Sequence, residues 1–156
     1  MEKLAIIGAG DLGQLMAFYA INEGTYSFVG FYDDLYKTGE RKGIGQILGP
    51  IDNIEKQFES NIFDRIIIGI GYKHLQFREN LFNNLIKSIP FASIIHNSLI
   101  TTQDAIIGKG VFILPGCQLD RGVRIGNNTV LNVSLRPDTS FKISSLGVKI
   151  LRNFNL

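Results

Sequence analysis

Gly8, Gly10 and Gly13 follow the apolar run Leu4-Ala5-Ile6-Ile7 in Gly-x-Gly-x-x-Gly spacing. The acidic pair Asp33-Asp34 comes about 20 residues further on. Glycines let a backbone turn sharply and come close to a ligand, and the free N–H groups of a helix start attract phosphate. A carboxylate at this distance, after a second strand, suits a bond to the ribose or base of a nucleotide. The same spacing also occurs as a plain strand-to-helix turn with no ligand.

These residues need a strand, a turn and a helix to hold them, and the chain supplies the pattern. Leu4–Ile7 reads as a buried parallel strand. Leu12, Met16, Ala17, Tyr19 and Ala20 then keep helical spacing to about Asn22, where Glu23-Gly24 ends the helix. Ser27–Tyr32 is a second strand that delivers the acidic pair. The segment from Leu35 to Pro50, with its charged, glycine-rich stretch Lys37–Gly45, reads as a loop; it either borders the ligand pocket or is simply solvated. Ile51–Glu59 has the pattern of a short amphipathic helix. Arg65–Gly71 is another continuous apolar run, as strands covered on both faces are. Leu75, Phe77, Leu81, Phe82 and Leu85 follow at helical spacing, and Phe91–Ile95 reads as a fourth strand of the same sheet. Alternation of this kind predicts a Rossmann-like α/β unit with a mostly parallel sheet over residues 1–96.

From residue 105 the texture changes to rows of six: Ala105–Gly110, Val111–Gly116, Cys117–Gly122, Val123–Asn128 and Thr129–Ser134. The third place is always aliphatic, the sixth is Gly, Asn or Ser, and the first is small or β-branched. This is the period of a hexapeptide parallel β-helix, in which each short strand points one aliphatic residue inward and permissive residues make the corners. Cys117 occupies a first place and reads as a small buried hydrophobe. Beyond Ser134 the register fails. The segment 135–156, with Lys142, Lys149 and Arg152 among apolar residues, is an atypical end that caps the coil, pairs as a strand or is loose.

Composition narrows the function classes. The chain has 156 residues, 45% hydrophobic and 19% charged, with a net charge of +2. That charge is too small to argue for nucleic acid or an acidic membrane as partner. No apolar run reaches the roughly 20 residues of a membrane helix, and the N-terminus runs straight into a strand rather than a signal peptide. A single cysteine rules out an internal disulfide and fits a cytoplasmic protein. No histidine, cysteine and carboxylate cluster suggests a metal site.

A glycine-turn sheet followed by hexapeptide rows resembles the bacterial sugar acetyltransferases of the sialic acid O-acetyltransferase and bacillosamine N-acetyltransferase type. The matching residues are Ile6-Ile7-Gly8-Ala9-Gly10, Phe31-Tyr32-Asp33-Asp34, Ile47-Leu48-Gly49-Pro50, Ile68-Gly69, Ile95-His96-Asn97-Ser98 and the rows of six, over about residues 3–132. The resemblance implies that Gly8, Gly10 and Asp11 lie by a nucleotide-diphosphate sugar, with Asp33 and Asp34 near its base or ribose. It also implies a left-handed β-helix over 97–134 with three rows to a coil, a homotrimer, and acetyl-CoA as donor in the groove between neighbouring coils.

The chain departs from that family where a catalytic histidine should follow Val130-Leu131-Asn132: Val133–Ser140 contains none. The later coils of the acetyl-CoA groove are also not seen, so the chain reads as shortened and altered. Histidine suits a general base because its pKa lies near neutrality, and only His74 and His96 exist. His74 opens the third helix and faces solvent; His96, at the family's entry to the first coil, makes a structural hydrogen bond. Asp120 and Asp138 would serve as bases only if burial raised their pKa. The sequence therefore predicts an acetyltransferase-family protein impaired in catalysis. The alternatives are a non-catalytic nucleotide-sugar module and, ranked last, an NAD-dependent oxidoreductase.

Overall fold

A computed structural model describes residues 1–132 and the backbone of residues 142–143 and 147–149. Asp138, Arg152 and the stretch 133–141, where the family's histidine would fall, lie outside the described residues, as do the side chains of Lys142 and Lys149. The chain divides into two compact units, Met1–Ala92 and Ser93–Leu156.

The first unit contains β1 (Lys3–Ile7), α1 (Asp11–Asn22), β2 (Ser27–Tyr32), β3 (Arg41–Lys42), β4 (Gly45–Gly49), α2 (Ile54–Glu59), β5 (Arg65–Ile68) and α3 (Leu75–Leu85). The sheet order is β3-β4-β2-β1-β5, parallel throughout except for β3, which runs antiparallel to β4. Strand β1 lies between β2 and β5, and Leu4, Ala5, Ile6 and Ile7 are fully buried. This is why its sequence is continuously apolar rather than alternating. Helix α1 buries Gly13, Met16, Ala17 and Ala20. The main core gathers Ala5, Ile7, Tyr32, Ile54, Phe63, Ile66, Ile68, Phe82, Leu85 and Phe91.

Three sequence expectations are corrected. The segment from Leu35 to Pro50 is not all loop: β4 is a full strand whose Phe31↔Ile47 pairing extends the parallel sheet, and β3 folds back on it. Phe91–Ile95 is not a strand of this sheet. Phe91 makes a single bridge to Ile66, whereas Ile94 and Ile95 form β6 (Ile94–Ile95) in the second unit. On α3, Leu75 and Phe77 are exposed and the buried face is Arg78, Phe82 and Leu85.

In the second unit β6 is followed by β7 (Ile106–Ile107), β8 (Phe112–Ile113), β9 (Arg124–Ile125), β10 (Thr129–Leu131), β11 (Lys142–Ile143) and β12 (Gly147–Lys149). All pairings are parallel. Ile94 pairs with Phe112 and Phe112 with Val130, and Ile106 pairs with Arg124. Ile100 bridges Gln118. Every partner thus stands 18 residues away, the separation seen again in the bond from Val111 N–H to Ser93 Oγ. Of the alternatives left open for the tail, β11 and β12 take strand pairing, against β9 and β10.

Val111, Ile113, Cys117, Leu119, Val123, Ile125 and Leu131 pack together. They occupy the first and third places of the rows of six, so a row sends two residues inward rather than the one expected, because alternate residues of a strand share a face. The sixth places Gly110, Gly116, Gly122 and Asn128 have φ of 69°, 78°, 71° and 52°. That left-handed region is open to glycine and tolerated by asparagine.

Candidate functional site

The strand order places the first unit's reversal between β1 and β5: the chain steps outward from β1 through β2 to β4, then returns to the other side of β1. In open α/β sheets, ligands bind beyond the carboxyl ends of the strands at such a reversal. The segments leaving those ends here are Gly8–Gly13, Asp33–Asp34 and Gly69–Gly71.

The loop after β1 is built from close backbone contacts. Gly8 has φ +95°, and its N–H donates to Tyr32 O at 2.8 Å, while Gly69 N–H donates to Ile7 O at 2.7 Å. A Cβ on Gly13 would fall inside the van der Waals shell of the Gly8 carbonyl oxygen and 3.0 Å from its carbon. A Cβ on Gly69 would lie 2.6 Å from Gly13 Cα. So the first turn of α1, the glycine loop and the turn after β5 touch backbone to backbone. Gly10 differs: it has ordinary φ of −74°, and a Cβ there would meet nothing within 4 Å. Gly10 caps α1 without a side-chain hydrogen bond, and the first N–H groups of a helix have no intrahelical partner.

The acids part company. Asp33, half-buried, accepts the N–H of Ala9 on Oδ2 at 2.8 Å and that of Leu35 on Oδ1 at 2.9 Å. It therefore holds the glycine loop in place. Asp34 is exposed and turns to the other side, where Oδ1 accepts the N–H of Ile51 at 2.8 Å. Asp11 is exposed as the first residue of α1, where a carboxylate complements the helix dipole. Gly8, Gly10, Asp11 and Asp33 are thus brought together directly, and Asp34 only as the neighbour of Asp33.

Sequence reasoning missed two residues. Gln14, one turn into α1, donates from Nε2 to Ala9 O and to Lys42 O, both at 3.1 Å, while its Oε1 accepts Ile44 N–H at 3.1 Å. It ties the glycine loop to the turn between β3 and β4. Arg78 is 2% exposed, and its Nη1 donates to Ile68 O at 3.1 Å and to Ile70 O. Burial pushes its guanidinium down to about 10, which leaves it charged at neutral pH. Arg78 steadies the turn that packs against Gly8 and Gly13. Nothing in the periodicity distinguishes Arg78 from a surface arginine. For Gln14 the one available signal was its place four residues after Gly10.

The possible bases fare as follows. His74 is exposed, on the turn before α3. His96 Nδ1 lies 2.7 Å from Ser98 Oγ and accepts Ser98 N–H at 3.1 Å, the structural hydrogen bond expected of it. Asp120 Oδ1 accepts Arg121 N–H at 2.6 Å. Cys117 is buried, which pushes its thiol up and away from thiolate. Among the described residues, no group of His, Cys, Asp and Glu could hold a metal ion, and no helix is long and apolar enough to cross a membrane.

The PglD N-terminal domain family matches residues 3–85. No curated protein matches the chain. Solved structures do. A mutant of perosamine N-acetyltransferase from Caulobacter crescentus, in complex with CoA and GDP-perosamine, is 18% identical, with a TM-score of 0.74 over 85% of this chain and 60% of that one. The acetyltransferase domain of PglB from Neisseria gonorrhoeae is 23% identical, with a TM-score of 0.73 over 92% of this chain and 65% of that one. The same domain in complex with acetyl coenzyme A is 24% identical, with a TM-score of 0.71 over 92% and 64%. The chain therefore spans about two thirds or less of the length of these relatives in fold.

Proposed function

The chain belongs to the PglD N-terminal domain family, and on that premise we propose that its first unit binds a nucleotide-linked sugar. The observation that carries this is the bond from Ala9 N–H to Asp33 Oδ2. It joins the glycine loop to the acidic pair inside the family-matched segment, and beside it Gly10 faces open space. In this reading the loop N–H groups from Gly8 to Asp11 take the diphosphate. Asp34, exposed next to the loop-holding Asp33, takes the base or ribose.

The proposal extends to the rest of the chain. Residues 97–134 are the start of a left-handed hexapeptide β-helix, supported by the 18-residue pairing and the left-handed sixth places. The ladder carries on into β11 and β12 at the same 18-residue step, and the unit assembles as a homotrimer. Acetyl-CoA is the donor class, because the similar folds are acetyltransferases seen with CoA or acetyl coenzyme A. Bound at a coil, it would supply an activated acetyl thioester; the chain's share is to present the sugar. For the present chain we place binding above catalysis. A general base must sit within reach of the sugar amine or hydroxyl, and no histidine occurs after His96, whose Nδ1 is held by Ser98. That observation favours a nucleotide-sugar module with little or no acetyl transfer of its own.

Thermal unfolding with and without ligand tests this. At 100 times its dissociation constant, a ligand stabilises by about 2.7 kcal/mol, on the order of 10 °C for a unit of this size. A UDP- or GDP-linked amino sugar is expected to produce that rise, and NAD none; the reverse result would establish an oxidoreductase-type site instead. Free thiol released from acetyl-CoA should stay at background. Robust release would show that catalysis survives without the missing histidine.

A further inference from the structure

Two carboxylates, Asp11 and Asp33, flank the glycine loop, with Asp34 next in the chain, while the proposed ligand carries a diphosphate. Neutral N–H groups at a helix start attract phosphate, but these nearby negative charges oppose it. A cation would offset that charge. Besides Lys73, exposed on the turn before α3, the turn between β3 and β4 supplies Lys42. Its backbone is held against α1 by Gln14, whose Nε2 is shared between Ala9 O and Lys42 O and whose Oε1 accepts Ile44 N–H. Gly43, at the tip, has φ +54°, and a Cβ there would collide with the Gln14 amide. The turn therefore lies directly on the side chain that also touches the loop.

Lys42 Nζ rests 4.6 Å from the centre of the Tyr36 ring. Its pKa is raised, chiefly by a hydrogen bond to Tyr36 and further by the carboxylates of Glu40 and Asp11. Gln14 Nε2, shared between Lys42 O and Ala9 O, sets the root of this lysine beside the glycine loop.

We infer that Lys42 is the residue that neutralises the diphosphate of the bound nucleotide, and that Gln14 is the positioning residue that aims it. This rests on the nucleotide-sugar reading of the same loop. The ammonium leaves the face of Tyr36, a weak contact at an exposed site, and joins the diphosphate as a flexible point charge. Base recognition is left to the acidic pair, so the two halves of the ligand are read by different elements.

The experiment is titration of UDP, GDP, uridine and guanosine into the full chain and its Lys42→Gln, Gln14→Ala and doubly substituted variants. Lys42→Gln is expected to weaken the diphosphates about tenfold, to leave nucleoside affinity unchanged, and to flatten the salt dependence of diphosphate binding. Gln14→Ala should give a similar loss, and the double variant should lose little more, because the charge no longer aimed contributes nothing. A wild-type chain that binds no nucleotide overturns the nucleotide reading and this inference together. Wild-type binding with an unchanged Lys42→Gln variant overturns the inference alone. Fully additive losses would remove Gln14 from it, since a merely structural glutamine would not couple to Lys42.

Discussion

Gly13→Ala is expected to unfold or severely destabilise the first unit, by more than about 3 kcal/mol. Helix propensity alone points the other way, since alanine is favoured over glycine inside a helix by about 1 kcal/mol. Packing decides the sign. The new methyl would enter the shell of the Gly8 carbonyl oxygen, which is backbone and cannot rotate aside. Moving the helix away would open the close packing of Gly13 Cα on Gly69. Overpacking in a core costs about 1–3 kcal/mol, so collision with a rigid backbone carbonyl places this substitution at or beyond the upper end. In a unit of this size the melting midpoint should fall by more than about 10 °C. Gly10→Ala is the control: φ is −74° and the space is open, so the midpoint should fall by no more than a few degrees, the cost of a poorer N-cap residue. An unchanged midpoint in Gly13→Ala would show that α1 can slide off the loop.

The second large effect is on binding alone. Gly10→Leu should melt like the wild type yet lose more than about 100-fold in affinity for a nucleoside diphosphate, roughly 2.7 kcal/mol or more. The leucine side chain would occupy the open volume beside the loop N–H groups where the diphosphate is proposed to lie. Calorimetric titration with UDP and GDP measures it. Wild-type affinity in a folded Gly10→Leu protein would move the ligand off this loop. Together the two glycines separate a structural requirement from a functional one within a single motif.

The parts of the fold that were legible in the sequence are those where one physical demand dominates. Leu4–Ile7 and Arg65–Ile68 are covered on both faces, and continuous apolar runs announce that. The rows of six announce the 18-residue ladders, because the corner residues repeat. Strand β4 was hidden for the opposite reason. Gly45-Gln46-Ile47-Leu48-Gly49 is framed by glycines that read as loop punctuation, yet Gly45 is a packing residue: a Cβ there would lie 2.7 Å from the Phe28 ring and 2.8 Å from that of Phe31. The run Phe91–Ile95 misled because both units want apolar residues, so the boundary at Ala92 leaves no change of texture. At the site, the glycine spacing and the acidic pair could be read, but their division of labour could not. That Asp33 faces Ala9 and Asp34 faces Ile51 depends on the twist of β2 into its turn. Gln14 and Arg78 were invisible because their partners are carbonyl oxygens, which every residue type supplies equally.

The peptide before Gly10 has a further consequence. Ala9 is fully buried, its N–H committed to Asp33 and its carbonyl to Gln14. Two successive peptide planes are thus held by one group each, the Gly8–Ala9 plane through its N–H and the Ala9–Gly10 plane through its carbonyl, which limits how far the donors beyond them can swing. A ligand docked on the proposed loop would then meet donors already in place, with little backbone ordering entropy to set against the first contacts. Differences in affinity among such ligands should follow their own shape and charge rather than the ease with which this backbone rearranges.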